Sequence, residues 1–139
     1  MSNYVEQFRE SYNRVLLGTL SDKDFFDAFY ERFIESSPIV KEKFKNTDMA
    51  KQKKILMESM FHLLDFFATR EFSSHMRRIA RTHSKSEKNI SPELYDLWLE
   101  VLIKTLREFD TEFNKDIELA WRLVLSPGIT FLKFEYESN

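Results

Sequence analysis

The sequence contains no cysteine and few residues that favour tight turns. Without cysteine, the chain can form neither a disulfide bond nor a thiolate metal site. Its 139 residues include two glycines, Gly18 and Gly128, and three prolines, Pro38, Pro92 and Pro127. Because sheet proteins use many such residues in their hairpins, this scarcity predicts an all-α fold.

A long apolar segment and a strong net charge are also absent. The most apolar stretch, residues 60–67, is interrupted by His62 and Asp65 and is too short to span a bilayer. Residues 1–10 lack the apolar core of a signal peptide. The net charge of −2 argues against general binding to nucleic acids. We therefore expect a cytoplasmic protein that binds neither membranes nor nucleic acid.

What is present is a globular composition with many aromatic rings. Hydrophobic residues make up 42% of the chain and charged residues 32%, which is typical of a soluble domain. The length predicts one domain, residues 1–139. The 14 phenylalanines lie on helical stripes and not at alternating positions, so most of them are expected to form the core.

Apolar residues recur at spacings of three and four residues in six segments, as in helices that bury one face. These segments are residues 4 to about 18, 25–37, 49–67, 72–83, 92–109, and about 112 onward. A capping-box-like sequence at Ser21 is expected to start the second helix. Pro38 is expected to end it, with a short turn through residues 39–44.

Later boundaries are also marked by caps and prolines. Thr47 or Asp48 is expected to cap the third helix, and Ser91 followed by Pro92 is typical of a helix start. Pro127 removes a backbone hydrogen bond, so we expect a kink or a restart in the last helix.

Three polar residues stand on stripes that are otherwise apolar, namely Tyr30, Gln52 and His83. Each has a purely structural interpretation. The Tyr30 ring can pack while its hydroxyl bonds a backbone carbonyl. Gln52 can be the solvated end of its stripe, and a lone buried histidine is more often a core residue than a metal ligand.

Taken in order, the residues Tyr30, Pro38, Phe44, Gln52, Leu56, His83, Tyr95 and Trp121 resemble a known family. They are similar to the marks of the globins, specifically bacterial single-domain globins and the globin domain of flavohaemoglobins. FYERFIESSPIVKEKF resembles the second helix and its corner, QKKIL the distal helix, and IARTH the proximal helix. The resemblance implies a globin fold of about six to eight helices, packed three-over-three around a haem pocket.

The resemblance also implies roles around an iron atom. His83 matches the proximal iron ligand, Phe44 the phenylalanine that packs on the haem, and Leu56 the apolar residue over the sixth iron position. Tyr30 and Gln52 match the polar distal pair, whose two donors would stabilise a ligand that develops negative charge.

Further residues would support the haem. Tyr95 matches a proximal tyrosine that a glutamate from the last helix joins, for which Glu135 or Tyr136 is the candidate. A backbone carbonyl near Ile79 is expected to fix the His83 ring. Ile79 and Trp98 are expected to contact the haem. Cations for the haem propionates include Lys53 and Arg81, together with Lys45, Arg77 and Lys85, each of which could instead be a solvated surface residue.

The cofactor implied is haem b, held non-covalently because no cysteine is available for attachment. The function implied is reversible binding of oxygen, and of nitric oxide or carbon monoxide, by a carrier, store or sensor that is a monomer or a homodimer. One alternative is nitric oxide dioxygenase activity with an external reductase, since residues 1–139 contain no Gly-rich phosphate loop. A haem-free helical interaction module is the second alternative.

Overall fold

A computed structural model describes residues 3–20 and 22–138. This part of the chain forms seven α-helices, which confirms the all-α prediction. They are α1 (Tyr4–Leu17), α2 (Phe25–Glu35), α3 (Pro38–Phe44), α4 (Met49–Thr69), α5 (Ser74–Thr82), α6 (Pro92–Phe109) and α7 (Lys115–Phe134). Two short antiparallel strands, β1 (Thr19–Leu20) and β2 (Lys23–Asp24), join α1 to α2. A 3₁₀ turn, Glu135–Glu137, follows α7.

Side-chain caps account for most of the helix starts. The side chains of Asp24, Ser37, Asp48 and Asn114 each accept a backbone N–H from the first turn of the helix that follows. The cap of α2 is therefore Asp24, three residues after the expected Ser21, which lies outside the described residues. Asp48 caps α4, in agreement with one of the two predicted residues.

The turn predicted at residues 39–44 was wrong, and the restart predicted at Pro127 does not occur. Residues 38–44 form a helix and not a turn, because Ser37 caps it and Pro38 occupies its first position, where no backbone N–H is needed. Helix α7 continues through Pro127 without a restart. Its buried side chains on both sides of Pro127, such as Leu125 and Ile129, pack into the core and offset the lost hydrogen bond.

Helix α7 is the centre of the fold. It packs against α1 and α4, while α2 packs against α6. Trp121 of α7 is fully buried, and its indole Nε1 donates to Ser11 Oγ of α1 at 2.9 Å. Gly128 lets α4 approach closely, because a Cβ placed there would lie 2.1 Å from Leu63 Cδ2. Helix α3 packs against α2, and α5 packs against α4 and α7.

Within the described ranges, no helix has the length and apolarity needed to cross a membrane.

Candidate functional site

The first wall of the candidate site is built by α5 and the residue that ends it, His83. The His83 backbone N–H donates to Ile79 O at 2.9 Å, which makes His83 the C-cap of α5. Met76 and Ala80 are buried against the core, whereas Ile79 and His83 are half-buried. Helix α5 therefore presents Ile79 and His83 at the edge of the core and not within it.

The His83 imidazole is held from α6. Its Nδ1 lies 3.2 Å from Tyr95 Oη, and Tyr95 itself is buried. The Ile79 carbonyl expected for this role was wrong, because the partner of Nδ1 is Tyr95, while Ile79 O accepts the His83 backbone N–H and the Thr82 hydroxyl. Burial, with a smaller contribution from the charge of Lys88, lowers the pKa of His83 to about 4. The imidazole is therefore neutral near pH 7, and among the described residues nothing hydrogen-bonds its Nε2.

The loop after His83 closes on itself. Lys88 N donates to Thr82 O and Ile90 N donates to His83 O, both at 3.0 Å. Asn89 adopts a left-handed conformation with φ of 55°, which asparagine tolerates better than most residues. These bonds fix the backbone on both sides of the imidazole.

The chain end ties this loop down. Lys85 N donates to Tyr136 O at 2.8 Å, and the Tyr136 hydroxyl donates to the Asn89 side-chain oxygen. Glu135, expected to join Tyr95, begins the 3₁₀ turn and makes no hydrogen bond to Tyr95 or His83 in the described structure. The last turn of the chain therefore reaches the loop, through Tyr136, and not the Tyr95 hydroxyl.

The second wall joins α2 to α4 through a polar contact. Gln52 Nε2 donates to Tyr30 Oη at 3.2 Å. Tyr30 is 6% exposed, and burial raises its pKa to about 12, partly opposed by the Gln52 hydrogen bond. The phenol therefore stays protonated. Because its oxygen already accepts from Gln52, its O–H remains available to donate to a ligand.

Apolar rings surround this polar pair. The Phe44 ring lies 5.7 Å from the Tyr30 ring and 6.1 Å from Phe33. Leu56, one turn after Gln52, is buried at 6% exposure. The two donors therefore sit among side chains that provide no competing hydrogen bonds.

Helix α6 connects the two walls. Tyr95 contacts His83, and Trp98, about one turn later, packs edge-on against Phe29 at 5.9 Å. Phe29 in turn contacts Tyr30 at 5.1 Å. Helix α6 thus contacts His83 through Tyr95 and the Phe29 ring beside Tyr30 through Trp98, although His83 and Tyr30 are 53 positions apart in the chain.

The cations considered for the haem propionates differ in whether each already has a partner in the structure. Lys53 is paired with Asp24 and lies 3.2 Å from Asp27, so it braces α4 against the start of α2. Arg81 is exposed and has no acidic partner among the described residues. Of the other three, Lys45 pairs with Glu42, Arg77 lies over the Phe72 ring, and Lys85 lies 3.9 Å from Glu137.

The sequence did not indicate Lys88 or Asn89 as residues of this site, and it indicated Tyr136 only as a partner of Tyr95 and not of Asn89. Lys88 and Asn89 read as ordinary polar loop residues, and their partners at Thr82, Ser84 and Tyr136 depend on how the loop folds back. Asn89 offered one indication in the sequence that the loop turns sharply at this residue, since asparagine adopts the left-handed conformation more readily than most residues.

Comparisons with known proteins agree on one family. Residues 27–129 match the family model described as Globin. The fold is similar to a crystal structure from Pseudomonas aeruginosa PAO1, described as structurally highly homologous to a human haemoglobin. The TM-score is 0.89 and the sequence identity 35%, over 97% of this chain and 99% of that one. Among curated proteins, none matches the chain at a significant level.

Proposed function

The chain belongs to the globin family and is a haem-binding globin, and we propose that it holds haem b non-covalently through His83 and binds oxygen reversibly in one domain. Its role would be that of an oxygen carrier, store or sensor. The observation that carries this proposal is the Tyr30–Gln52 hydrogen bond, which leaves the Tyr30 O–H free among apolar side chains such as Phe44 and Leu56.

The residues present fit a haem. Ligation needs a neutral imidazole with one free nitrogen, and His83 offers Nε2 while Nδ1 is held by Tyr95. Several apolar side chains at the edge of the core are only half-buried, as expected of surfaces that a flat apolar group would cover. These are Phe44, Ile79, Ile90, Leu97 and Trp98. Arg81 is the cation best placed to remain available for a propionate.

The haem would supply an iron atom that binds diatomic gases, and the chain would control that binding. Tyr95 orients the imidazole and keeps it from rotating. Tyr30 donates its hydroxyl proton toward a ligand that develops negative charge, and Gln52 fixes the direction of that hydroxyl. The buried Leu56 would limit the space available to that ligand and exclude water. Such donors slow the escape of oxygen more than that of carbon monoxide, which develops less charge.

The test is the oxygen dissociation rate of Tyr30→Phe, measured by stopped-flow displacement with carbon monoxide. Loss of one charge-assisted hydrogen bond, at about 1–2 kcal/mol, should raise the rate about tenfold or more. Gln52→Leu should raise it by less, because Tyr30 still donates. Tyr12→Phe, which removes a half-buried phenol from the α1 face of the core, is the matched control. Rates equal to wild type in both pocket variants would refute the proposal.

A second candidate function is nitric oxide dioxygenase activity, which the same polar pair favours because flavohaemoglobins have a similar one. In this reaction oxygen, nitric oxide and one electron yield nitrate, so repeated turnover needs an external reductase. Rapid mixing of the oxygenated protein with nitric oxide, with and without a flavin reductase and its nicotinamide donor, distinguishes the candidates. Repeated nitrate production would favour the enzyme, whereas a single turnover with every reductase would favour gas binding alone.

A further inference from the structure

Two of the three histidines lie together between α4 and α5. The rings of His62 in α4 and His75 in α5 stack 4.2 Å apart, with an angle of 10° between their planes. His75 is 8% exposed and is the second residue of α5, whereas His83 is the residue that ends this helix. The stack therefore holds α4 against the start of the helix whose other end carries the proposed iron ligand.

The hydrogen bonds of this stack suit neutral rings. The Ser59 hydroxyl donates to Ile55 O at 2.8 Å, so it accepts the Nε2–H of a neutral His75 ring at 3.2 Å. His62 Nδ1 is buried and has no hydrogen-bond partner in the described part of the chain. A neutral His62 can leave this nitrogen unprotonated, whereas a charged imidazole carries a proton on both nitrogens. Charging His62 would therefore create a buried donor without an acceptor.

A positive charge on His75 is also opposed by its surroundings. The first backbone N–H groups of a helix carry partial positive charge, and His75 lies among them at the start of α5. Burial lowers the pKa of His75 most, and the charges of His62 and Arg78 lower it further. Glu58 of α4 partly opposes this shift, and toward α7 the helix presents the apolar Met76. Protonation of His75 therefore weakens the contact between α4 and α5.

We propose that the His62–His75 stack is an acid-sensitive contact that regulates oxygen retention at the haem site, an inference that rests on the proposed function. Protonation of either ring moves the start of α5 away from α4. Because α5 is one continuous helix, this movement changes the orientation of the His83 imidazole at its other end. It also changes the spacing between His83 and the wall of α4 that carries Gln52. Oxygen is then held less tightly and leaves faster as the pH falls below about 6.5.

In the haem-loaded protein, this stack contains the side chains best suited to respond to mild acid. The chain has three histidines and no cysteine, and histidine is the side chain whose ordinary pKa lies between about pH 5 and 8. With His83 bound to iron, His62 and His75 remain. The carboxylates of the final 3₁₀ turn, which also packs on α5, lie at its other end, where Glu137 is 3.9 Å from Lys85. A response to pH in this range can therefore be assigned to the stack by replacing His62 and His75.

The test is the oxygen dissociation rate of the haem-loaded protein at about pH 7.5 and about pH 5.5, measured by stopped-flow displacement with carbon monoxide. The wild-type rate should be about threefold or more higher at the lower pH. In the double variant H62F/H75F, which keeps two flat rings but has no titrating group, the two rates should agree to within about 1.5-fold. Asp96→Asn, which removes an exposed carboxylate of α6, should keep the full wild-type ratio.

Two surface variants test the direction of the effect without altering the stack. Arg78→Gln removes a charge that opposes protonation of His75, so the rise in rate should begin at a higher pH than in wild type. Glu58→Gln removes a charge that favours protonation, so the rise should begin at a lower pH. Both side chains are exposed, so each substitution leaves the core intact. Shifts in the opposite directions would overturn the assignment to His75.

Hydrogen exchange of the α5 backbone amides, read by mass spectrometry and corrected for the intrinsic effect of pH, gives a readout independent of oxygen. Protection of α5 should fall at the lower pH in wild type and not in H62F/H75F. The proposal is overturned if oxygen release does not change with pH, if it changes equally in H62F/H75F, or if the protection of α5 does not fall. Failure to bind oxygen at either pH would refute the proposed function and this regulation with it, while exchange would still show whether the stack opens on acidification.

Discussion

Among single residues, Asp110 occupies the most demanding position in the core. It is 2% exposed and accepts from Ser11 Oγ at 2.5 Å, from Arg14 Nε at 2.7 Å and from Glu112 N–H at 2.9 Å. Burial alone would raise its pKa, but the hydrogen bonds from Arg14 and Ser11 lower it below the ordinary value. Since Ser11 also receives the Trp121 indole, one carboxylate organises the junction of α1, α6 and α7.

This network predicts a defined acid sensitivity. Because the folded pKa of Asp110 lies below its unfolded value of about 3.9, the stability it contributes is complete above about pH 4 and is lost as the pH falls through the folded pKa. Asp110→Asn should lower the free energy of unfolding by about 2 kcal/mol at neutral pH and reduce the loss on acidification. Urea unfolding followed by tryptophan fluorescence measures both quantities.

A matched control for Asp110→Asn is Asp96→Asn, which removes an exposed carboxylate 2.5 Å from Lys133. Surface ion pairs contribute about 0–1 kcal/mol, so this variant should stay close to wild type. Equal stability losses in the two variants would contradict the role assigned to Asp110.

At the residue scale, the sequence was informative about which side chains are unusual and less informative about what they contact. Tyr30 and Gln52 could be selected because each places a polar group on an apolar stripe. The partner of the His83 imidazole could not be read in the same way, because it depends on where α6 crosses α5. The expected Ile79 carbonyl lies close in sequence, whereas the observed partner, Tyr95, lies on another helix. Local spacing cannot identify a contact that a helix crossing creates.

At the scale of elements, the α4–α7 crossing depends on Gly128. Its missing side chain allows Leu63 and Met76 to fill the space over α7, since an added Cβ would lie 2.1 Å from Leu63 Cδ2 and 3.3 Å from Met76 Cε. A glycine inside a helix normally costs about 1 kcal/mol relative to alanine. Here that cost is offset by the close approach of the helix that carries Gln52 and Leu56.

Gly128→Ala should therefore destabilise the protein by about 1–3 kcal/mol, although alanine favours the helix. Gly18→Ala is the control, because a Cβ there would meet only backbone oxygens at 3.7 Å and 3.9 Å, and it should be nearly neutral. Thermal or urea unfolding of both variants measures the difference. If Gly128→Ala were as stable as wild type, the close approach would not be a constraint.

The contact between α4 and α5 is sensitive to pH through the stacked His62 and His75 rings. Burial, followed by the charges of His62 and Arg78, lowers the pKa of His75, while Glu58 partly opposes this shift. Its neutral form also donates Nε2–H to Ser59 Oγ at 3.2 Å, since the Ser59 hydroxyl proton is given to Ile55 O. A histidine with a lowered folded pKa loses stability as the pH falls below its unfolded pKa of about 6.5.

His75→Phe keeps the stacking and removes this titration. Between about pH 7 and pH 5, its free energy of unfolding should fall less steeply than that of wild type. His62→Phe removes the neighbouring charge and should also reduce the slope. Slopes identical to wild type in both variants would show that the stack does not resist protonation.

Helix boundaries were largely predictable from the sequence, because caps act locally. Asp48 and the Ser91–Pro92 pair mark starts that the structure contains at the same residues. The turn predicted at residues 39–44 and the restart predicted at Pro127 fail for the same reason. In both cases tertiary packing and capping overrode a local turn signal: α3 is only seven residues long, and α7 buries side chains beyond its proline. Only the folded arrangement supplies that information.

At the scale of the whole molecule, the helices bring two distant polar features to one region. His83 with Tyr95 lies on one side, and Tyr30 with Gln52 on the other. Trp98 and Phe29 join them through ring contacts. Helices α2, α4 and α6 carry these residues, and α5 ends beside His83.

The central claim is that His83 alone of the three histidines ligates a haem iron. Reconstituting the apoprotein with haem and recording the Soret spectrum of His62→Ala, His75→Ala and His83→Ala tests it across every histidine in the chain. We expect a wild-type spectrum for the first two variants. His83→Ala should show a shifted, weakened band that added imidazole restores. An unchanged band in His83→Ala would contradict the account, as would loss of the band on replacing His62 or His75 instead.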